Sequence, residues 1–151
     1  MDFDALALAI KDWGRELGFG KVGIAGVDLA ADETRLAAWL AQGRHGTMEF
    51  MGRHGTRRTR PSELIPGTVR VISARMDYMA PGADPQAVLD DPALGYVSRY
   101  ALGRDYHRVL RPRLALLADR IAVAVGAAGY RAFTDSAPVM EKPLAREEGL
   151  G

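Results

Sequence analysis

Residues 3–25 read FDALALAIKDWGRELGFGKVGIA, and the change of period inside this stretch decides the fold. Phe3, Leu6, Ala7, Ile10, Trp13, Gly14 and Leu17 recur at i, i+3, i+4 and i+7, the spacing of a helix with one buried stripe. Asp2 or Asp4 opens that helix, and Gly18 or Gly20 closes it. Val22-Gly23-Ile24-Ala25 then reads as a short strand ended by Gly26. A helix feeding directly into a strand argues for layers of both kinds rather than a helical bundle.

Working outward, a second helix starts at Asp32-Glu33, acids suited to a positive helix N-terminus, and runs through Leu36, Ala37 and Leu40 to Gly43. Gly46, Gly52, Gly55, Pro61, Pro66 and Gly67 make the next segment a loop, with one helical turn at Met48-Glu49-Phe50-Met51. Val69 to Ala74 reads as a strand, interior at its centre, and residues 80–95, with Pro81-Gly82, Asp84-Pro85 and Asp90-Asp91-Pro92, as a long polar loop. The longest helix runs from Tyr106 to Ala128 on a stripe of Val109, Leu110, Leu114, Leu117, Ile121 and Val125, with Pro112 either opening or kinking it. Tyr130 to Thr134 reads as a last strand, and Pro143 lies in or near a final short helix. The class that follows is α/β (α+β), a layered mixed sheet flanked by helices, in one domain over residues 1–151.

Composition agrees. At 48% hydrophobic and 26% charged residues the chain is globular, which excludes disordered, fibrous and coiled-coil classes. It contains no cysteine, so disulfides, thiolate zinc sites and cysteine-ligated clusters built from this chain are ruled out. Met1-Asp2-Phe3-Asp4 puts acids where a signal peptide needs bases, and the most apolar stretch, Ile121 to Tyr130, is too short to span a bilayer. A cytoplasmic protein without a membrane partner is expected.

The net charge of +1 conceals an uneven distribution. Residues 1–40 hold seven acids against four bases, whereas residues 53–75 hold Arg53, Arg57, Arg58, Arg60, Arg70 and Arg75 against Glu63 alone. Clustered arginines suit bidentate phosphate contacts, although a GC-rich coding bias produces the same preference.

Three longer strings are specific: Arg60-Pro61-Ser62-Glu63-Leu64-Ile65-Pro66-Gly67 before a strand; Arg99-Tyr100-Ala101-Leu102-Gly103-Arg104-Asp105-Tyr106-His107; and Phe133-Thr134-Asp135-Ser136-Ala137-Pro138-Val139-Met140-Glu141-Lys142-Pro143-Leu144-Ala145, continuing to Gly149-Leu150-Gly151. In this order they resemble the N-terminal part of the epoxyqueuosine reductase family, cobalamin-dependent iron–sulfur enzymes acting on transfer RNA. The resemblance implies reduction of the epoxide of epoxyqueuosine to the alkene of queuosine at the wobble position. It also implies a cobalamin cofactor, two 4Fe–4S clusters, the anticodon stem–loop as partner, and a monomer. Family members continue past the final Gly-Leu-Gly into a cysteine-bearing ferredoxin-like region and a helical-repeat domain. This chain is therefore expected to be a fragment, inactive alone.

The same resemblance implies site residues. Asp135 matches the family's catalytic aspartate, and a carboxylic acid facing a large apolar macrocycle loses hydration, which favours its proton-donating form. From the residues alone, an aspartate before Ser-Ala-Pro is more often a helix cap or an Asx-turn residue than a catalytic acid. Arg99, Tyr100, Asp105, Tyr106, Ser136 and Ala137 are expected at the cofactor, with capping by Asp105 and core packing by Tyr106 as the structural alternatives. Arg57, Arg58, Arg60, His107 and Glu141 are expected at the substrate or transfer RNA, with solvated arginines and a surface Glu141–Lys142 pair as the alternatives. No residue is expected to ligate a metal; a lone histidine at a helix start, His107, is more often structural. Two other readings compete: a corrinoid or flavin reductase of small molecules, of the reductive dehalogenase kind, and a non-catalytic RNA-binding module. The arginine run argues against the first, and the intact Asp135 string against the second.

Overall fold

Asp2 caps the first helix with its carboxylate, Oδ1 accepting the backbone N–H groups of Asp4 at 3.0 Å and Ala5 at 3.1 Å. That helix, α1, spans Phe3–Glu16 and ends where Gly18 turns left-handed at φ +84°. The computed structural model describes residues 2–78, 82–126 and 128–150. Pro81 of the expected loop and Gly151 of the terminal string lie outside the described residues. The backbone gathers into two compact units, Met1–Arg75 with Asp135–Gly151, and Met76–Thr134.

In the first unit, β1 (Lys21–Ala25) is followed by α2 (Ala30–Ala41), whose start is held by Asp28 Oδ1 accepting the Ala30 N–H at 3.0 Å. The glycine-rich segment winds into α3 (Phe50–Arg53), a 3-10 turn (Gly55–Arg58) and α4 (Pro61–Leu64), with Pro61 in the first turn, where no N–H is needed. β2 (Val71–Arg75) pairs antiparallel with β1, Val22 opposite Ala74 and Ile24 opposite Ile72. Successive β1 residues face opposite sides. At Val22 the strand meets α1 so closely that a Cβ on Gly14 would lie 2.3 Å from Val22 Cγ2. A Cβ on Gly23 would lie 2.4 Å from Glu148 Cβ, just past the last helix of this unit. Ala25, Leu29 and Leu144 form the buried core, with Val71, Val139 and Met140 packed against it.

The second unit holds α5 (Pro85–Asp90), a 3-10 turn (Arg99–Ala101) and α6 (Tyr106–Val125), which buries Leu117. The first unit is completed by α7 (Glu141–Glu147). The class is α+β, with seven α-helices and a two-stranded antiparallel sheet among the described residues. No helix among them is long and apolar enough to cross a membrane.

Four local expectations change. The sheet expected to be mixed is antiparallel among the described residues, and its β2 is half-buried rather than interior because β1 is its only described neighbour. Asp84 nucleates α5 inside the expected loop, its Oδ1 accepting the Gln86 N–H at 3.0 Å, with Pro85 at the first helical position. The long helix stops at Val125 because Gly126 caps it at φ +73°; it starts at Tyr106, with Pro112 inside it. Residues 130–134, expected as a strand, pair with no strand among the described residues. Their side chains are anchored instead: the Tyr130 hydroxyl donates to Asp119 Oδ1 at 2.5 Å, and the Arg131 guanidinium sits 4.9 Å from the Phe133 ring centroid.

Candidate functional site

Asp135 is the one described non-glycine residue with a positive φ, at +41°. Such a conformation costs energy for an L-residue and persists where its surroundings enforce it. Its backbone N–H donates to Glu141 Oε1 at 3.3 Å. Glu141 is the first residue of α7, so its carboxylate also complements the positive helix end. The cap position of α7 belongs to Met140, so Asp135 is not a helix cap. Ser136 beside it is exposed and Ala137 half-buried.

What holds Glu141 in place is the rest of α7. Leu144 is 1% exposed in the core, and Arg146 Nη2 donates to Asp32 Oδ2 at 3.0 Å. Asp32, buried on α2, also accepts from Arg35 Nη2 at 2.8 Å through its other oxygen. Hydrogen bonds from Arg35 and then Arg146 hold its carboxyl below the usual aspartate range.

The neighbouring residue, Glu33, moors the arginine loop. Arg60 grips it with Nη2 on Oε1 at 2.7 Å and Nε on Oε2 at 2.9 Å, while Thr59 Oγ1 donates to Oε2 at 2.6 Å. These bonds, Arg60 first and Thr59 second, bring the Glu33 carboxyl down to about 2. Arg60 also donates to Glu63 Oε1 at 2.9 Å. Arg58 donates to the Phe50 carbonyl at 3.1 Å. Of the three loop arginines expected at a substrate, Arg60 and Arg58 therefore hold the first unit together. Arg57 stays exposed, with no ion pair among the described residues.

In the second unit, Asp105 caps α6 by accepting the His107 N–H at 3.0 Å, and the same Oδ1 lies 2.9 Å from His107 Nδ1. The His107 contact is the main reason its carboxyl sits below the ordinary value. The capping expected as the structural alternative for Asp105 is thus what the structure shows. Tyr106 stacks on His107 with ring centroids 4.1 Å apart, Tyr100 meets Tyr106 edge-on at 5.9 Å, and Tyr78 meets Tyr100 at 6.4 Å. Tyr106 belongs to this file of rings and is half-buried rather than in the core. Arg99 donates to the Ala83 carbonyl at 2.9 Å. A cleft of about 590 Å³ beside the start of α6 is lined by Arg104, Asp105, Arg108, Val109, Pro112 and Arg113. Sequence reasoning missed its arginines, although residues 99–113 carry five arginines against Asp105 alone.

The residues of the second unit fit a wide, partly apolar ligand with a polar rim. Tyr78, Tyr96, Val97, Tyr100 and Leu102 are each half-exposed or more, apolar side chains open to a ligand. Thr134 Oγ1 is buried without a partner among the described residues, a polar atom of the kind a ligand amide satisfies. No three His, Cys, Asp or Glu side chains among the described residues gather where they could hold a metal ion. Lacking cysteine, the chain offers no thiolate to an iron–sulfur cluster.

A protein-family model described as "Epoxyqueuosine reductase QueG, DUF1730" matches residues 58–136. Curated relatives named epoxyqueuosine reductase match nearly the whole chain. The one from Pseudomonas aeruginosa is 57% identical over 146 residues, covering 97% of this chain and 40% of the relative. Those from Vibrio cholerae and Escherichia coli are 55% and 52% identical over 151 residues, covering all of this chain and 41% and 40% of the relatives. The chain therefore spans about two fifths of the length of the relatives it matches. No solved structure matches it.

Proposed function

From the premise that this chain belongs to the epoxyqueuosine reductase family, we propose that it supplies the proton donor and substrate-facing residues of a transfer-RNA-modifying oxidoreductase. The reaction is a two-electron deoxygenation: the epoxide carbon–oxygen bonds break, the oxygen takes up two protons and leaves as water, and an alkene remains. The observation that carries this reading is Asp135, in the Phe-Thr-Asp-Ser-Ala-Pro string, held in a costly backbone conformation by Glu141.

Asp135 is the general acid, giving its proton to the departing oxygen, a role that contributes about 10²–10⁴-fold in comparable enzymes. Glu141 acts through the backbone of Asp135 and is a positioning residue. Cobalamin, when bound, supplies a low-potential metal centre able to deliver the two electrons. Arg99, Tyr100, Asp105 and Tyr106 would hold it, the rings by apolar contact and the polar groups by hydrogen bonds to its amides. His107, whose orientation Asp105 fixes through Nδ1, faces the nucleoside. The partner in this reading is the anticodon stem–loop of transfer RNA, and the compartment the cytoplasm.

The test is Asp135→Asn, which keeps shape and removes the acid. In the full-length protein, turnover is expected to fall by about two orders of magnitude or more while cobalamin binding, followed by its visible absorbance, persists. Unchanged turnover would overturn the reading.

A further inference from the structure

We infer that the cleft at the start of α6, walled by Arg104, Arg108 and Arg113, seats backbone phosphates of the RNA substrate. The inference rests on the RNA reading above and adds a surface on this chain that the loop around Arg57 does not account for. Its first support is charge. Three guanidinium groups face one carboxylate, and that carboxylate is already engaged: Asp105 Oδ1 takes the His107 N–H at 3.0 Å and lies 2.9 Å from Nδ1, while its Oδ2 is 3.9 Å from Arg108 Nε. The cleft keeps a net positive charge with planar donors suited to phosphate oxygens.

Size is the second support. About 590 Å³ is far more room than one inorganic anion fills, and the apolar patches of Val109 and Pro112 along its wall suit the sugar stretches between phosphates. The third is continuity. Asp105 belongs to the cleft wall and its Oδ1 lies 2.9 Å from Nδ1 of His107, the residue assigned to the nucleoside. Arg108 has 88% of its side chain exposed, open to a ligand at little structural cost, whereas Arg113 is steadied by Nη1 lying 3.8 Å from Met76 Sδ. Phosphate bonds of this kind set register and a salt-sensitive share of affinity without reading bases.

The experiment measures binding of a fluorescently labelled RNA stem–loop across a range of salt concentrations, for the wild type, Arg104→Ala with Arg108→Ala, and Arg104→Lys with Arg108→Lys. The alanine pair is expected to weaken binding and to lower the log–log salt slope by about 0.7–0.9 for each phosphate no longer neutralised, while the lysine pair keeps most of the slope. In turnover by the full-length protein carrying the same substitutions, KM for the transfer RNA rises and kcat holds for the alanine pair. If the wild type binds RNA and the alanine pair shows the same slope and KM, the cleft assignment is overturned and the RNA reading stands. Failure of the wild type to bind the stem–loop overturns both. Saturable binding of inorganic phosphate that the alanine pair abolishes, with the RNA slope unchanged, also overturns the assignment, making the cleft a small-anion site.

Discussion

Replacing Asp135 with glycine, alanine and asparagine separates its chemistry from its backbone. At φ +41° the residue lies in the left-handed region, where an L-residue with a Cβ pays roughly 1–2 kcal/mol and glycine nothing. Glycine loses about 0.5–1 kcal/mol by making the unfolded chain more flexible. The balance favours glycine over alanine here by about 0.5–1 kcal/mol, the reverse of the order at an ordinary helical or extended position. For a chain of this size that difference moves the melting temperature by about 1–4 °C. Asparagine tolerates the left-handed region as aspartate does and should melt with the wild type. All three variants should lose turnover. Thermal melts followed by circular dichroism, with denaturant titration as the second measure, give the order. Were alanine more stable than glycine by about 0.5–1 kcal/mol, the order of an ordinary position, the backbone at 135 would be unstrained and its conformation would carry no functional meaning.

Gly14→Ala inverts a second propensity rule. In an open helix it stabilises, but here the new methyl meets Val22 Cγ2 at 2.3 Å between α1 and β1, so a loss of about 1–3 kcal/mol is expected in denaturant unfolding; a gain would show that the two elements separate readily. Acid stability tests the α2 moorings. Glu33 has its folded value depressed from 4.5 to about 2, so the stability it contributes is complete above about pH 4.5 and disappears as the pH falls towards 2. Glu33→Gln should flatten the unfolding free energy in that window and leave the slope above pH 6 unchanged, whereas an unaltered acid limb would remove the Arg60 grip from the stability of this unit.

Much of the fold was legible because it is local. The period of Phe3 to Leu17, the acids Asp32-Glu33 and the stripe from Val109 to Val125 give α1, α2 and α6 within a few residues. Residues 130–134 misled because β-branched and aromatic content reports fitness for a pleated surface, while a strand also needs a neighbour, and Tyr130 is bound to Asp119 instead. The candidate site was legible only as strings. Asp135 could be located from its motif, but its positive φ and the Glu141 contact six residues away follow from the placement of α7, which no local pattern encodes. Arg57, Arg58 and Arg60 looked equivalent on charge alone; that Arg60 binds Glu33, 27 residues earlier, is a tertiary fact. The α6 arginines were readable in principle, since a helix starting at Tyr106 brings Arg108 and Pro112 to one side.

The two acids opening α2 explain how a strained residue can be maintained so close to a short helix. A seven-residue helix has little stability of its own, so α7 cannot fix Glu141 unaided. Leu144 supplies the apolar anchor, and the Arg146–Asp32 contact fixes rotation about that anchor, because a guanidinium shared with a buried carboxylate admits few orientations. Glu141 then presents its oxygen to one backbone N–H, that of Asp135. Asp32 and Glu33 lie side by side, one holding α7 and the other the Arg60 loop, so the first turn of α2 joins the segment carrying the catalytic candidate to the segment carrying the loop arginines. The acids that complement the helix dipole at this N-terminus are therefore also the fixed points of the first unit. Removing the Asp32 carboxylate should disturb the conformation at 135 before it disturbs the core around Ala25 and Leu29, since that packing does not involve the carboxylate.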